Sequence, residues 1–167
     1  PDEITEAVNL GAVVHIASLI LAEPAGVSFR YVQSGGGAKR IQDLIGGHVE
    51  TAMFSTAEFK SFEELGIRGL ALLADERHPD FPDIPTAREQ GYDVTFCVDN
   101  WWFAPAGTAP EHVAVLADAF EAAMATDDIK NAFAERTMDP TFLRGDALAQ
   151  HIQDVKTDID QAAEKAQ

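Results

Sequence analysis

Apolar and polar positions fall into a repeating order along the first part of the chain: a short apolar run, a turn rich in glycine, then apolar residues every three or four positions. Ile4 to Val8 reads as a short strand, Asn9-Leu10-Gly11 as a turn, and the segment from about Ala12 as a helix. That helix places Ile16, Leu19 and Ile20 on one side and is closed by Pro24 and Gly26. Val27, Phe29, Tyr31 and Val32 predict a second strand that runs into Ser34-Gly35-Gly36-Gly37. The glycines let the backbone leave a strand at angles that a Cβ forbids, and the following helix has Ile41, Leu44 and Ile45 on one face before Gly46-Gly47 ends it. Val49 to Phe54 predicts a third strand, Ser55-Thr56 a turn with Thr56 as N-cap, and Ala57 to Leu65 a helix stopped by Gly66. Phe59, Phe62 and Leu65 share a face of it. Ile67 to Leu73 is nearly all apolar, as expected of a strand covered on both faces in a parallel sheet.

Alternating strands and helices predict an α/β layer fold with a mostly parallel sheet. Right-handed crossovers then bring the turns at Asn9–Gly11, Ser34–Gly37 and Ser55-Thr56 to one edge of that sheet, where ligands tend to bind. The second part of the chain reads differently. Asp75 to Pro85 holds three prolines and is a surface loop, Thr86 to Gln90 is a short helix, and Tyr92 to Phe103 is extended and aromatic. Pro105 to Pro110 is a rigid connector. Three helices follow: Glu111 to Ala125, with Val113, Leu116, Phe120 and Met124 in register; Asp127 to Arg136; and about Asp146 to Ala166. Ile152, Val155 and Ile159 give the last a thin apolar stripe suited to lying across a surface.

Composition narrows the function. The 167 residues are 46% hydrophobic and 24% charged, which is ordinary for a globular protein. Twenty-eight acidic against twelve basic residues give a net charge of −16, which repels nucleic acid and anionic lipid. It also opposes long-range capture of an anion, so a carboxylate site here must rely on short-range amide and hydroxyl donors. Cys97 is the single cysteine and excludes an intrachain disulfide; its apolar surroundings predict a buried, inert thiol. No apolar run approaches the roughly 20 residues that span a bilayer, and Pro1-Asp2-Glu3 does not resemble the start of a secretory signal.

Three turns carry the candidate chemistry. Free N–H groups at Gly11 and Ala12, with the Asn9 side chain, can hold a carboxylate at a helix start; equally, Asn9 can cap its own helix. Ser34, Gly35 and Gly36 offer a second group of amides and a hydroxyl, and Ser55 and Thr56 a third, each alone being also ordinary turn chemistry. Their convergence on one edge favours a site. The glycine run lacks the lysine and hydroxyl spacing of a phosphate loop. The five histidines are scattered without metal-ligand spacing; His48 and Glu50 share a strand face, and under a covering helix His48 reads as a satisfied histidine rather than a ligand. No serine elbow or cysteine motif for nucleophilic catalysis is present, so neither a catalytic residue nor a cofactor is expected.

Ser34-Gly-Gly-Gly-Ala38, Leu44-Ile-Gly-Gly-His-Val-Glu-Thr-Ala52 and Arg68-Gly-Leu-Ala-Leu72 resemble the second lobe of the tripartite tricarboxylate transporter substrate-binding family. Asp75-Glu-Arg77, Phe81-Pro-Asp-Ile-Pro-Thr86, Glu89-Gln-Gly-Tyr-Asp-Val94 and Ala104-Pro-Ala-Gly-Thr108 continue the likeness, and Asn9 to Ala17 is similar to the family's glycine-rich loop that opens a helix. The resemblance implies a periplasmic-binding-protein type II lobe over residues 1–98. A crossing segment and C-terminal helices over 99–167 would return to a first lobe, which on this reading is missing from the chain. It also implies an exported, periplasmic receptor, without enzyme activity, that passes a small carboxylate to membrane transporter subunits. Asp99 and Asn100 are implied as a polar pair facing the cleft, and Val14 stands where similar sequences commonly have a polar residue. Uncovered lobe surfaces suggest a homodimer or a domain-swapped oligomer. An interaction or sensor module, or an enzyme, on the same fold is the alternative.

Overall fold

The computed structural model describes residues 3–138 and 140–165. Three strands, β1 (Thr5–Val8), β2 (Arg30–Gln33) and β3 (Thr51–Ala52), pair in parallel in the order β2-β1-β3. All four residues of β1 are buried, because the strand has a neighbour on each side. Each strand runs into a helix: α1 (Val13–Ala25), α2 (Gly37–Ile45) and α3 (Thr56–Phe62), the last continued by a 3-10 turn at Glu63–Leu65. Because the strands are parallel, the three strand-to-helix turns leave from the same edge of the sheet. The α/β class and the alternation are those expected.

The details differ from the pattern in instructive ways. Helix α1 buries Ala17, Ser18 and Ala22 rather than Ile16, Leu19 and Ile20, which are only half-buried. Small residues let the helix approach the sheet closely. Pro24 lies inside its last turn, and Gly26, at φ +61°, supplies the left-handed cap. In α2, Ile41 is buried and Leu44 half-buried, while Ile45 is 53% exposed. Only Thr51–Ala52 of the third apolar run joins the ladder, so His48 and Glu50 are not a pair on a helix-covered face. Both are exposed, and Glu50 instead accepts from Thr5 through its backbone N–H and its hydroxyl.

The apolar run Ile67 to Leu73 forms no strand. Leu72 makes one isolated bridge with Thr86, donating to Pro85 O at 2.9 Å and accepting from Ala87 N at 2.8 Å, and Leu70 is 60% exposed. The 75–85 loop is tied down by ion pairs of Arg77 with Glu89 and of Arg88 with Asp75. The short helix at Thr86 is a single 3-10 turn, Arg88–Gln90, opened by the reciprocal bonds Thr86 N to Glu89 Oε2 (2.7 Å) and Glu89 N to Thr86 Oγ1 (3.1 Å). Cys97 is exposed, contrary to its apolar surroundings in sequence.

The chain divides into two units, one reaching Val98 and including the chain from Val155, the other Asp99–Asp154. The second unit holds α4 (Pro110–Met124), α5 (Asp127–Ala134) and the start of α6 (Gly145–Lys165). These helices match the expected spans, save that Ala166 lies outside the described residues. Trp102 packs on Phe120 with ring centroids 4.5 Å apart, and Arg144 ties to α4 through Asp118 and Glu121. Val113 and Leu116, two of the four expected core positions of α4, are 43% and 52% exposed.

Candidate functional site

The sheet order sets the site. Strand β1 is central, β2 lies on one side and β3 on the other, so the chain's crossovers reverse direction about β1. Loops diverge above such a switch point and leave a crevice at the carboxyl ends of the strands. Asn9, Gly11, Ala12, Ser34, Gly35, Gly36, Ser55 and Thr56 all fall on the turns at that edge. Asp99 and Asn100 belong to the other unit, where the Asp99 carboxylate meets His151 Nε2 at 2.9 Å.

The donors within the three turns are not equally available. In the first, the Gln33 side chain donates to Asn9 Oδ1 at 3.0 Å and accepts from Leu10 N at 2.7 Å, joining the ends of β1 and β2. Gly11 N donates to His15 Nδ1 at 3.2 Å, and Ala12 N to Asn9 O at 2.9 Å. The amides expected from Gly11 and Ala12 are therefore already used. The open ones are the next two residues. Helix α1 has no side-chain cap, and among the described residues nothing accepts from the Val13 and Val14 amides. The His15 ring must be unprotonated at Nδ1 to accept from Gly11; burial pushes its pKa down and so favours that state.

In the second turn, Ser34 is buried and its hydroxyl donates to Val32 O at 3.4 Å. Lys39 and then Ser34 hold the Asp43 carboxyl below its usual range. Gly36 caps α2 without a side-chain bond, and among the described residues no acceptor meets the amides of Gly35, Gly36, Gly37 and Ala38. Gly35, at φ +82°, adopts a backbone that L side chains rarely enter.

The third turn is closed. Ser55, not Thr56, is the N-cap of α3: its Oγ accepts from Glu58 N at 3.2 Å while Glu58 Oε2 accepts from Ser55 N at 3.0 Å. The same carboxylate takes both of its oxygens to Arg40 Nη2, at 3.1 Å each. Arg40 is 4% exposed and donates also to Gly35 O (3.0 Å) and Met53 O (3.1 Å), with its guanidinium over the Phe54 ring. One guanidinium thus binds the second turn to the third. Sequence reasoning missed Arg40 and Glu58; the spacing Ser55-x-x-Glu58 was the signal for the box, but nothing local marks Arg40 as buried.

Among the described residues no group of His, Cys, Asp or Glu could hold a metal ion, and no helix is long and apolar enough to cross a membrane. What the edge offers chemically is backbone N–H groups at two uncapped helix starts, whose partial positive charge suits an anion.

The chain thus has a parallel α/β unit with amide-bearing turns on one sheet edge. Over residues 4–165 the chain matches the tripartite tricarboxylate transporter family receptor, and it belongs to that family. It is 30% identical over 137 residues to the UPF0065 protein in the gbd 5′ region of Cupriavidus necator, covering 82% of this chain and 42% of that one. With Protein BugT of Bordetella pertussis it shares 27% identity over 158 residues, 92% of this chain and 48% of that one. The chain therefore spans less than half the length of these two relatives. Its fold matches a TctC solute binding protein from Polaromonas, solved without ligand (TM-score 0.75, 23% identity, 97% of this chain and 57% of that one). It also matches an R. palustris protein solved with adipate (TM-score 0.76, 25% identity, 99% of this chain and 56% of that one).

Proposed function

We propose that this chain is the second lobe of an extracytoplasmic solute-binding receptor that takes a small carboxylate and delivers it to a tripartite tricarboxylate-type membrane transporter. Residues 1–98 supply one wall of the ligand cleft, and 99–167 form the crossing segment and helices that return to the other lobe. The carrying observation is the β2-β1-β3 parallel order, which gathers two uncapped helix starts, at Val13-Val14 and at Gly35 to Ala38, on one sheet edge. A carboxylate seated there accepts from several backbone amides, each neutral bond worth about 1 kcal/mol net. Family membership and the adipate in the R. palustris neighbour support the ligand class.

A single wall binds weakly, so the affinity expected of this chain is worse than about 1 mM, which corresponds to about 4 kcal/mol. Amide chemical shifts followed while hexanoate and adipate are titrated to high concentration test this. Shifts concentrated on residues 11–14 and 34–38 are expected. No response to either compound, or a response confined to residues 99–154, overturns the reading.

A further inference from the structure

We infer that Glu58 is a specificity-determining residue: it fills the place of a second ligand carboxylate between the second and third turns, so that the ligand presents one carboxylate to this lobe and an uncharged remainder. The inference rests on the carboxylate-receptor reading and adds the charge of the ligand to it.

The argument starts from what an anion site needs and finds most of it taken. Arg40 is the one cation that the described contacts place between those turns, and as a buried guanidinium it would be the strongest partner for an anionic ligand group. Its Nη2 is instead held by both oxygens of Glu58, and the Ser55 amide and hydroxyl, at 3.0 and 3.4 Å, are directed to Glu58 Oε2 as well. The carboxylate also lies against the start of α2, since a methyl group built on Gly37 would run into its Oε1. An internal carboxylate therefore occupies the donors of the third turn, the buried cation, and the flank of the second helix start. What stays open is amide-only, at Val13-Val14 and along Gly35 to Ala38. A second ligand carboxylate reaching toward the third turn would find the buried cation and the Ser55 donors already committed to Glu58, and would give up its water with no partner to replace it. The lysines of the two following helices are committed as well: Lys39 is paired with Asp43, and Lys60 with Glu63.

Hexanoate and adipate have the same number of carbons and differ by one carboxylate, which makes them the test pair. Titrations followed by amide shifts are expected to give hexanoate an affinity about tenfold above adipate in the unmodified chain, as a second carboxylate left without donors predicts. Glu58→Gln, which keeps the acceptor for Ser55 N, is expected to shrink that ratio to threefold or less. Glu63→Gln, one turn further along and with the same change in net charge, should leave it unaltered. A ratio at or below one in the unmodified chain overturns the inference without any variant, as does a ratio that Glu58→Gln leaves unchanged or that Glu63→Gln shifts equally. Should Glu58→Gln fail to fold, the unmodified ratio and the Glu63→Gln control still decide. Binding of neither compound overturns the receptor reading itself, whereas equal binding of both leaves that reading standing and removes only this one.

Discussion

Glu6 is the residue whose surroundings most contradict its type. It sits on the central strand, 3% exposed, with its carboxylate accepting from the Ser18 hydroxyl at 2.6 Å, and Tyr31 Oη lies 3.2 Å from the same hydroxyl. Burial pushes its pKa up, against a smaller downward pull from Ser18. The folded protein then holds this proton more tightly than the unfolded chain does. Its contribution to stability is complete below the unfolded value, near about 4.3, and is lost as pH rises through the folded one. Glu6→Gln keeps an acceptor for Ser18 and has no charge to bury. Its melting temperature should equal that of the unmodified protein near pH 4 and exceed it by a few degrees at pH 8; a difference independent of pH would show that burial of the charge is not the cause. Sequence alone could not reveal this site. Thr5-Glu6-Ala7-Val8 reads as a strand, but only pairing on both sides buries Glu6, and its partners Ser18 and Tyr31 come from α1 and β2.

At the scale of elements, what was legible is what local chemistry enforces. Gly26 and Gly66 end their helices in left-handed conformations, and Ser55-x-x-Glu58 opens α3. The strand expected at Ile67 to Leu73 does not form, because the backbone partners of that run are Pro85, Ala87 and Phe96, in a loop and an extended segment that carry no strand pattern. A run of apolar residues states only that a segment seeks cover. The same distance in sequence hides the clamp between α2 and the turn before α3. Arg40→Met would take the guanidinium from Glu58, Gly35 O and Met53 O and leave Glu58 only its Ser55 donors. Breaking a fully buried pair costs about 3–5 kcal/mol, and since the Glu58 side chain is 33% exposed the expected loss is about 2–3 kcal/mol. Urea denaturation measures it. Arg40→Lys should recover less than half, because an ammonium cannot span three acceptors in a fork; full recovery would mean that charge alone is enough.

For the whole molecule the governing number is −16. Self-repulsion of that size opposes the compact state, and salt screens it over a Debye length of about 8 Å at physiological ionic strength. The melting temperature should therefore rise between low salt and about 0.15 M sodium chloride. A fall would mean that ion pairs such as Arg144 with Asp118 and Glu121 outweigh the repulsion. The α/β class was readable from the alternation of elements, and the family from motifs spread over most of the chain. The state of each donor was not, because whether an amide is open depends on side chains such as Gln33, His15 and Glu58 that no turn motif specifies.

The position of β1 in the sheet has a consequence for synthesis. Thr5 pairs with Arg30 and Glu6 with Thr51, so the earliest of the three strands of this sheet waits for both of its neighbours to emerge from the ribosome. A nascent chain stalled before Ala52 would display an unfinished edge carrying Ala7 and Val8, which is the kind of surface that holding chaperones grip.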